Sequence, residues 1–218
     1  MALIHSAQLN PSKIELLRAW VPGQPWVGSA DTSSLEHIDA YRFDDPDGEV
    51  GIETHLLRTA DGAVLQIPLT YRGAPLAGAE AFLISTMDHS VLGQRWVYDA
   101  CCDPVYVRAL ATTIVTGGTE AALEFADPGN AREVTTHVLG SGSGDVPSIR
   151  AVNCSSVGSA TTMGSATTMG SATTITSGTL ELTVFRVIDA GAELGELTLA
   201  GTWPGQAERA LLASLQIG

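Results

Sequence analysis

Two adjacent cysteines, Cys101 and Cys102, lie in the segment RWVYDACCDPVYV (residues 95–107) and are the first residues whose types could do chemistry. On an extended strand, adjacent side chains point to opposite faces, so one metal ion rarely takes both. The chain has no C-x-x-C pair, Cys154 is distant, and the five histidines are scattered singly, which disfavours a zinc site. We predict structural thiols here, with a redox pair and a metal site as the alternatives.

The other segments that could do chemistry carry incomplete patterns. The glycine-rich GSGSG at 140–144 lacks the lysine and the Ser/Thr of a phosphate-binding loop, and we interpret it as a flexible turn. No G-x-S-x-G nucleophile motif is present, and Asp88-His89-Ser90 favours a turn or capping role. The carboxylates of DDPDG at 44–48 favour a turn over a calcium loop. These patterns predict no catalytic residue, no bound cofactor and no metal.

The charge balance excludes several classes of partner. The chain of 218 residues carries a formal net charge of −13, and its only lysine is Lys13. Nucleic-acid binding requires basic surface that displaces counterions from phosphates, so we expect no nucleic acid partner, and anionic lipid is disfavoured for the same reason. No apolar run is long enough to span a bilayer, so we expect no membrane partner.

The composition fits a globular chain in a reducing compartment. Apolar residues make up 44% of the chain and charged residues 16%, which is enough to bury a core. The N-terminus lacks the basic and apolar regions of a secretory signal, and three cysteines do not suggest a disulfide-stapled secreted domain. We therefore expect a cytoplasmic protein.

The first half of the chain predicts a helix followed by an antiparallel meander. Asn10-Pro11 resembles a helix start, with Asn10 as N-cap and Pro11 in the first turn. Three strand-like runs separated by turns follow the helix, at 35–43, 50–58 and 63–71. In the second of these runs, apolar residues alternate with Glu53 and His55, which lie together on the opposite face.

Further along, AFLISTM (81–87) is compatible with a short helix and RWVYDA (95–100) with an extended segment. Asp103-Pro104 then starts a helix whose apolar stripe runs through PVYVRALATTIV. Gly117-Gly118 ends this second helix.

After residue 118 the sequence is strand-like to its end, which predicts a second antiparallel layer. The fold class expected is α+β, mostly antiparallel β in a sandwich or open barrel, with two or three short helices. We divide the chain into an α+β region, 1–118, and an antiparallel β region, 119–218, which could together form one continuous domain. The repeat GSATTM, GSATTM, GSATTI within 158–175 is too short for a solenoid and predicts a hairpin tip or a flexible loop.

Several short blocks in a fixed order resemble the N-terminal cap domain of actinobacterial maltokinases and related sugar kinases. The segment from Leu56 to Ile114 carries them, and PGQPW and the opening MALIHSAQLNPSKIELLRAW are similar to small stand-alone cap-like proteins, often labelled as related to 1,4-α-glucan branching proteins. The matching blocks are Ala60-Asp61-Gly62, Pro68-Leu69, Tyr71-Arg72, Leu83-Ile84, Val97-Tyr98-Asp99-Ala100 and Asp103-Pro104.

The resemblance implies a cap-like architecture and a link to glycogen, maltose or trehalose metabolism, without kinase activity. The kinase lobes that follow the cap in the full-length enzymes carry a lysine, a catalytic aspartate and magnesium ligands, and none of these can be placed here. We therefore expect a non-catalytic accessory module that binds a partner protein or a sugar-related ligand.

We place the candidate binding surface on the extended segment and the histidine before it. Arg, Trp and Tyr are the residue types that anchor interfaces, and Trp and Tyr stack on sugar faces. Because Trp96 and Tyr98 share one face of a strand, their burial would make them core and their exposure would make them a site. The surface comprises His89, Arg95, Trp96, Tyr98 and Asp99.

Two alternatives remain open. The first is a small enzyme in which His37, His55 or His89 converges with an Asp or Glu in a pocket, and a histidine within hydrogen-bond reach of a carboxylate would be its sign. The second is a β-barrel that binds an apolar ligand, for which a large apolar cavity would be the sign.

Overall fold

The computed structural model describes residues 3–4, 7–125, 133–145, 149, 152–157 and 171–218. Within these residues the helices are α1 (Lys13–Trp20) and α2 (Pro104–Thr116), with 3₁₀ turns at Val21–Gly23, Pro25–Val27, Glu80–Phe82 and Ala100–Cys102. The strands are β1 (Leu3–Ile4), β2 (Leu9–Asn10), β3 (Leu35–Phe43), β4 (Gly51–Thr59), β5 (Val64–Arg72), β6 (Leu83–His89), β7 (Gly93–Asp99), β8 (Glu124–Phe125), β9 (His137–Gly140), β10 (Asn153–Val157), β11 (Ala172–Ser177), β12 (Leu180–Phe185), β13 (Val187–Ile188), β14 (Thr198–Trp203) and β15 (Gln206–Ile217).

The predicted meander of three strands is confirmed as β3, β4 and β5, which pair antiparallel in sequence order. They form the centre of a sheet whose order is β2-β6-β7-β5-β4-β3, with β13 pairing β5 beside this path. The DDPDG turn is closed by Asp45, whose carboxylate accepts hydrogen bonds from the backbone amides of Asp47, Glu49 and Val50. The turn reading of these carboxylates is thus confirmed.

The expected start of the first helix is wrong by two residues. Asn10 belongs to β2, and the N-cap is Ser12, whose side chain accepts a hydrogen bond from the backbone amide of Glu15. The carboxylate of Glu15 in turn accepts from the backbone amide of Ser12 at 2.9 Å, which completes a capping box. This reciprocal pair satisfies two of the backbone amides at the start of α1.

The short helix suggested for AFLISTM is also wrong, because residues 83–89 form β6 and only Glu80–Phe82 turns helically. β6 pairs antiparallel with β7 along its length. The second helix is confirmed as α2, with Asp103 as N-cap and Gly117 in the left-handed conformation at its end. Asp103 is fully buried and accepts two hydrogen bonds of 2.6 Å from Arg72, which fixes α2 to the first sheet.

The second half of the chain forms the predicted antiparallel layer, with the strand order β10-β11-β12-β15-β14-β9. Most of the GSATTM repeat, residues 158–170, lies outside the described residues. The last unit is a strand rather than a tip or loop, because Ala172 to Ile175 belong to β11. β10, which precedes the repeat, pairs antiparallel with β11.

The two sheets and α2 share one apolar cluster. It contains Tyr41 and Leu56 from the first sheet, Leu110 from α2, and Leu182 and Leu212 from the second sheet. A second cluster lies on the opposite face of the first sheet, where α1 covers Leu57, Leu65, Ile67 and Leu69. The fold is therefore mostly antiparallel β with two helices among the described residues, as the α+β class predicted. None of the helices described is both long and apolar enough to cross a membrane.

The interpretation of GSGSG as a flexible turn is wrong. Gly140 ends β9, and the backbone amides of Gly142 and Gly144 donate to the carbonyl oxygens of Ile114 and Val115, both at 2.8 Å. These carbonyls belong to the last turn of α2, where no helical amide follows to pair them. Glycine is required at 140 and 142, because a Cβ atom at either position would lie within 2.4 Å of a backbone oxygen of α2.

Candidate functional site

Two clefts of the first sheet meet at a cluster of polar side chains. The smaller cleft, about 470 Å³, lies beside the DDPDG turn, and the larger one, about 720 Å³, lies along α1. Lys13 and Glu53 line both clefts. We call the group at this junction the Glu53 cluster, and it comprises Lys13, His37, Arg42, Glu53, His55 and Tyr71.

The alternation of β4 places Glu53 and His55 on the face that α1 covers. Ile52 and Leu56 point to the opposite face and pack in the core between the sheets. Lys13, the first residue of α1, extends over this face from the helix end. The amphipathic strand thus presents an acid and an imidazole where apolar packing under α1 ends.

Glu53 is a buried carboxylate shared by two cations. Its Oε1 atom accepts a hydrogen bond of 2.7 Å from Arg42, and its Oε2 atom accepts a hydrogen bond from the ammonium group of Lys13. Burial alone would raise the pKa of Glu53, but the charges of Lys13, His55 and Arg42 outweigh this effect and hold the pKa well below its usual value. Glu53 is therefore a fixed negative charge rather than a proton donor.

His55 connects this carboxylate to a second histidine. Its Nε2 atom lies 3.3 Å from Oε2 of Glu53 and 3.2 Å from the hydroxyl of Tyr71, and its Nδ1 atom lies 3.2 Å from Nε2 of His37. Burial, and then the charge of Glu53, raise the pKa of Tyr71 well above its usual value, so its hydroxyl stays protonated. The ammonium of Lys13 lies 5.2 Å from the centre of the Tyr71 ring.

The Glu53 cluster meets the criterion set for the enzyme alternative, since a histidine lies within reach of a carboxylate inside a cleft. His37 and His55 are both candidates for that role by sequence, but no sequence pattern joins the two. Lys13 and Arg42 were missed. The sequence signal that could have revealed this cluster is the strand alternation that places Glu53 and His55 on one face of β4.

The candidate binding surface is only partly at the surface. His89, Arg95 and Trp96 are half-buried, and His89 and Arg95 line the smaller cleft. Tyr98 is 2% exposed, and its hydroxyl accepts a hydrogen bond of 2.9 Å from the backbone amide of Leu76. Tyr98 therefore cannot contact a partner, because this side of β7 is covered by the loop before β6.

Asp99 is likewise a core residue and not part of a binding surface. It is 7% exposed, and both of its carboxylate oxygens accept hydrogen bonds of 2.7 Å from Nη2 of Arg186. Arg186 is fully buried, also donates to the hydroxyl of Thr173 at 2.9 Å, and lies over the Trp26 ring. The pair ties β7 of the first sheet to β11 and to the segment after β12.

The adjacent cysteines lie in a 3₁₀ turn rather than on a strand, and they differ in oxidation state. Cys101 is a free, fully buried thiol, and burial raises its pKa far above the usual value, so it is unreactive. Cys102 is disulfide-bonded. The structural-thiol prediction is confirmed for Cys101 and wrong for Cys102. Since disulfides are rare in reducing compartments, the low cysteine count no longer supports a cytoplasmic location.

Asp88-His89-Ser90 has the predicted turn role. The Nδ1 atom of His89 accepts hydrogen bonds from the backbone amides of Val91 and Leu92 at 3.2 and 3.1 Å. The Ser90 hydroxyl accepts from the backbone amide of Gln8 at 3.0 Å, which fixes the β6–β7 turn to the N-terminal segment. These bonds order the tip of the hairpin.

Comparison with known families identifies the part of the chain that holds most of this site. Residues 20–103 match the family model of the maltokinase N-terminal cap domain. The segment is about two fifths of the chain and runs from the end of α1 to the N-cap of α2. The resemblance to that cap family is confirmed over this segment. It includes all of the Glu53 cluster except Lys13. No curated protein matches the chain.

Proposed function

We propose that this chain, with its segment of the maltokinase N-terminal cap type, is a non-catalytic accessory module that binds a partner protein in glycogen, maltose or trehalose metabolism. The observation that carries the proposal is the match of residues 20–103 to that domain. Its description names a terminal part of a sugar kinase, and this supports both the accessory role and the metabolic link. A cytoplasmic location is also part of the proposal, and the disulfide of Cys102 would then be one of the uncommon disulfides of a reducing compartment.

The position of the only lysine supports a role without phosphoryl transfer. Such transfer needs cations that neutralise the phosphates in the transition state. The ammonium of Lys13 is already bonded to the buried carboxylate of Glu53 and lies over Tyr71. Releasing it to a nucleotide would leave Glu53 with Arg42 as its remaining strong cation.

The proposed contact with the partner is the tip of the β6–β7 hairpin. Val91 is 55% and Leu92 48% exposed, and Nη2 of Arg95 donates to the Leu92 carbonyl at 2.7 Å. Interfaces characteristically combine an apolar centre with polar residues at the rim, and arginine is enriched in them. The hairpin-tip surface therefore comprises His89, Val91, Leu92 and Arg95.

Co-purification from native cell extract tests this proposal. We expect wild-type protein to recover an enzyme of α-glucan or disaccharide metabolism, and Leu92→Asp to lose it, because a charge in the apolar centre of an interface opposes desolvation. Leu194→Asp is the matched control, since Leu194 is 49% exposed and lies outside residues 20–103. Mass spectrometry of the three eluates gives the result. Background proteins alone, or equal recovery with Leu92→Asp, would contradict the proposal.

The Glu53 cluster favours a second candidate function, the binding of a small sugar-related ligand. It presents a carboxylate, a guanidinium and an imidazole at the junction of two clefts, and such groups hydrogen-bond hydroxyls. A neutral polyol would suit this mixed set better than an anion would, because the smaller cleft also contains Asp44, Asp45 and Glu49.

Thermal unfolding with added maltose, trehalose and ATP tests the second candidate. A ligand at 100 times its Kd adds about 2.7 kcal/mol to the free energy of unfolding. We expect the melting temperature to rise with one of the two sugars and not with ATP, and Lys13→Met to lose the rise. No rise with either sugar would leave only the partner-binding proposal, and a rise with ATP would contradict the non-kinase role.

A further inference from the structure

The hairpin-tip surface continues across the smaller cleft to the DDPDG turn. His89, Leu92 and Arg95 of the hairpin line this cleft together with Asp45 and Glu49 of the turn. The cleft volume of about 470 Å³ lies in the range of pockets that hold ligands, roughly 300–1,000 Å³. A partner seated on the hairpin tip would therefore also contact the cleft and the turn on its other side.

Both borders of this cleft are ordered by hydrogen bonds of their own. The carboxylate of Asp45 accepts from three backbone amides and closes the DDPDG turn. The Nδ1 atom of His89 accepts from the backbone amides of Val91 and Leu92 at the hairpin tip. A surface that is already ordered loses little conformational freedom on binding, which favours affinity for a partner.

The exposed charges on this surface are negative. Asp47 and Glu49 of the turn and Asp88 of the hairpin are all exposed. None of these three carboxylates forms an ion pair with the residues that the structure describes. Carboxylates on the rim of an apolar surface favour a partner that brings lysine or arginine to them.

The cations of the cleft do not cancel this negative charge. Lys13 and Arg42 are half-buried and hydrogen-bonded to Glu53, and half-buried Arg95 donates to the Leu92 carbonyl. The lining contains three cations, Lys13, Arg42 and Arg95, against four carboxylates, those of Asp44, Asp45, Glu49 and Glu53. The exposed carboxylates of Asp47 and Asp88 add to this excess.

We propose that this surface binds a segment of the partner protein in which large apolar side chains are flanked by lysine or arginine, an inference that rests on the partner-binding function proposed above. The apolar side chains pack on Val91 and Leu92 and in the cleft, and the basic ones pair with Asp47, Glu49 and Asp88. A second copy of this chain fits less well, because it brings a net charge of −13 to an acidic surface.

Titration of the synthetic peptide KKLLKK into the ¹⁵N-labelled full chain tests the proposal. We expect the amide signals of residues 45–49 and 88–95 to shift together, and the binding to weaken as NaCl is added, because salt screens exposed charges. The matched control peptides are KKSSKK, which lacks the apolar pair, and EELLEE, which reverses the charges. Each should bind at least about tenfold more weakly, because apolar anchors and charge complementarity are both required.

Two double variants separate a local contact from the overall charge of the chain. Asp47→Asn with Glu49→Gln removes two exposed carboxylates from the proposed surface. Glu181→Gln with Glu208→Gln removes two exposed carboxylates from the second sheet and is the matched control. Because each exposed ion pair contributes little, we expect the first variant to bind KKLLKK about two- to thirtyfold more weakly and the second to bind it as wild type does.

Three results would overturn the proposal. The first is that KKLLKK shifts no amide signal at millimolar concentration, or shifts signals outside the two turns. The second is equal affinity of the two double variants for the peptide, which would show a response to net charge only. The third is a wild-type dimer, detected by light scattering, that Leu92→Asp disrupts, because a second copy would then occupy this surface.

Co-purification with the Asp47→Asn, Glu49→Gln chain distinguishes failure of this proposal from failure of the function on which it rests. Equal recovery of a metabolic enzyme by wild type and by this variant would overturn the basic segment and leave the accessory role intact. Binding of KKLLKK at the two turns, with no such enzyme in the wild-type eluate, would instead overturn the proposed function and leave the surface and its preference intact.

Discussion

Gly140→Ala is expected to prevent stable folding, or to lower the melting temperature of the protein strongly. A Cβ atom at this position would lie 1.9 Å from the carbonyl oxygen of Thr113 and 2.9 Å from the Cα atom of Ile114. Both are backbone atoms of α2, so no side-chain rotation relieves the overlap. The strand or the helix would have to move by more than an ångström.

Such a movement would disrupt the core between the sheets. Overpacked side chains in well-packed cores typically cost about 1–3 kcal/mol, and a clash with backbone atoms exceeds what side-chain adjustment absorbs. Each kcal/mol lowers the melting temperature of a chain of 150–250 residues by about 2–4 °C. We therefore expect Gly140→Ala to lower it by at least about 6–12 °C, as measured by circular dichroism.

Gly23→Ala is the matched control for this prediction. No atom lies within 4 Å of a Cβ atom built at Gly23, so the substitution should leave the melting temperature unchanged or raise it slightly. Gly142→Ala should behave like Gly140→Ala, because its Cβ atom would lie 2.4 Å from the Val115 carbonyl oxygen. A Gly140→Ala protein as stable as Gly23→Ala would show that β9 does not lie against α2 as described.

Asp99→Leu and Arg186→Met are each expected to lower the free energy of unfolding by about 3–5 kcal/mol, because each leaves the charge of the remaining partner buried and uncompensated. Arg186 is fully buried, and its Nη2 atom donates to both oxygens of Asp99 at 2.7 Å. Burial disfavours the guanidinium, but the neighbouring carboxylate of Asp99 keeps its pKa above the usual value, so it stays charged. Urea denaturation measures the loss.

The double variant Asp99→Leu with Arg186→Met should be less destabilised than either single variant. It removes both charges together, and replacing a buried ion pair by apolar residues of similar volume is often neutral or stabilising. Arg209→Met is the control, since Arg209 is exposed. Single variants that cost no more than the Arg209 control would contradict the burial of this pair, and additive losses would contradict its coupling.

Local signals determined the regular parts of this fold. The alternation in 35–71 and its turns predicted the meander, and Asp103-Pro104 and Gly117 predicted the limits of α2. These predictions succeeded because strand alternation and helix capping depend on residues close in sequence. The two errors have different origins. At AFLISTM, pairing with β7 outweighed the local helical preference. At Asn10, the signal was local as well, because the Ser12–Glu15 capping box is a stronger helix start than Asn10-Pro11.

The candidate site shows the limit of such reasoning. The sequence placed Glu53 and His55 on one face of β4, and its blocks identified the cap family. It could not join His37 to His55, because the bulge in β3 that aligns them arises from strand pairing. It also could not decide whether Tyr98 and Asp99 were exposed, because alternation assigns residues to faces without showing which face is covered.

Two contacts between segments distant in sequence show most clearly which features the sequence did not reveal. Composition and motif order established by themselves an acidic chain with α+β patterning and a cap-type segment. Only the tertiary structure decided that Asp99 meets Arg186, 87 residues away, and that GSGSG lies against the end of α2. Partners so distant in sequence are selected by the packing of the whole chain, since a buried charge or carbonyl group must find a partner wherever the fold provides one.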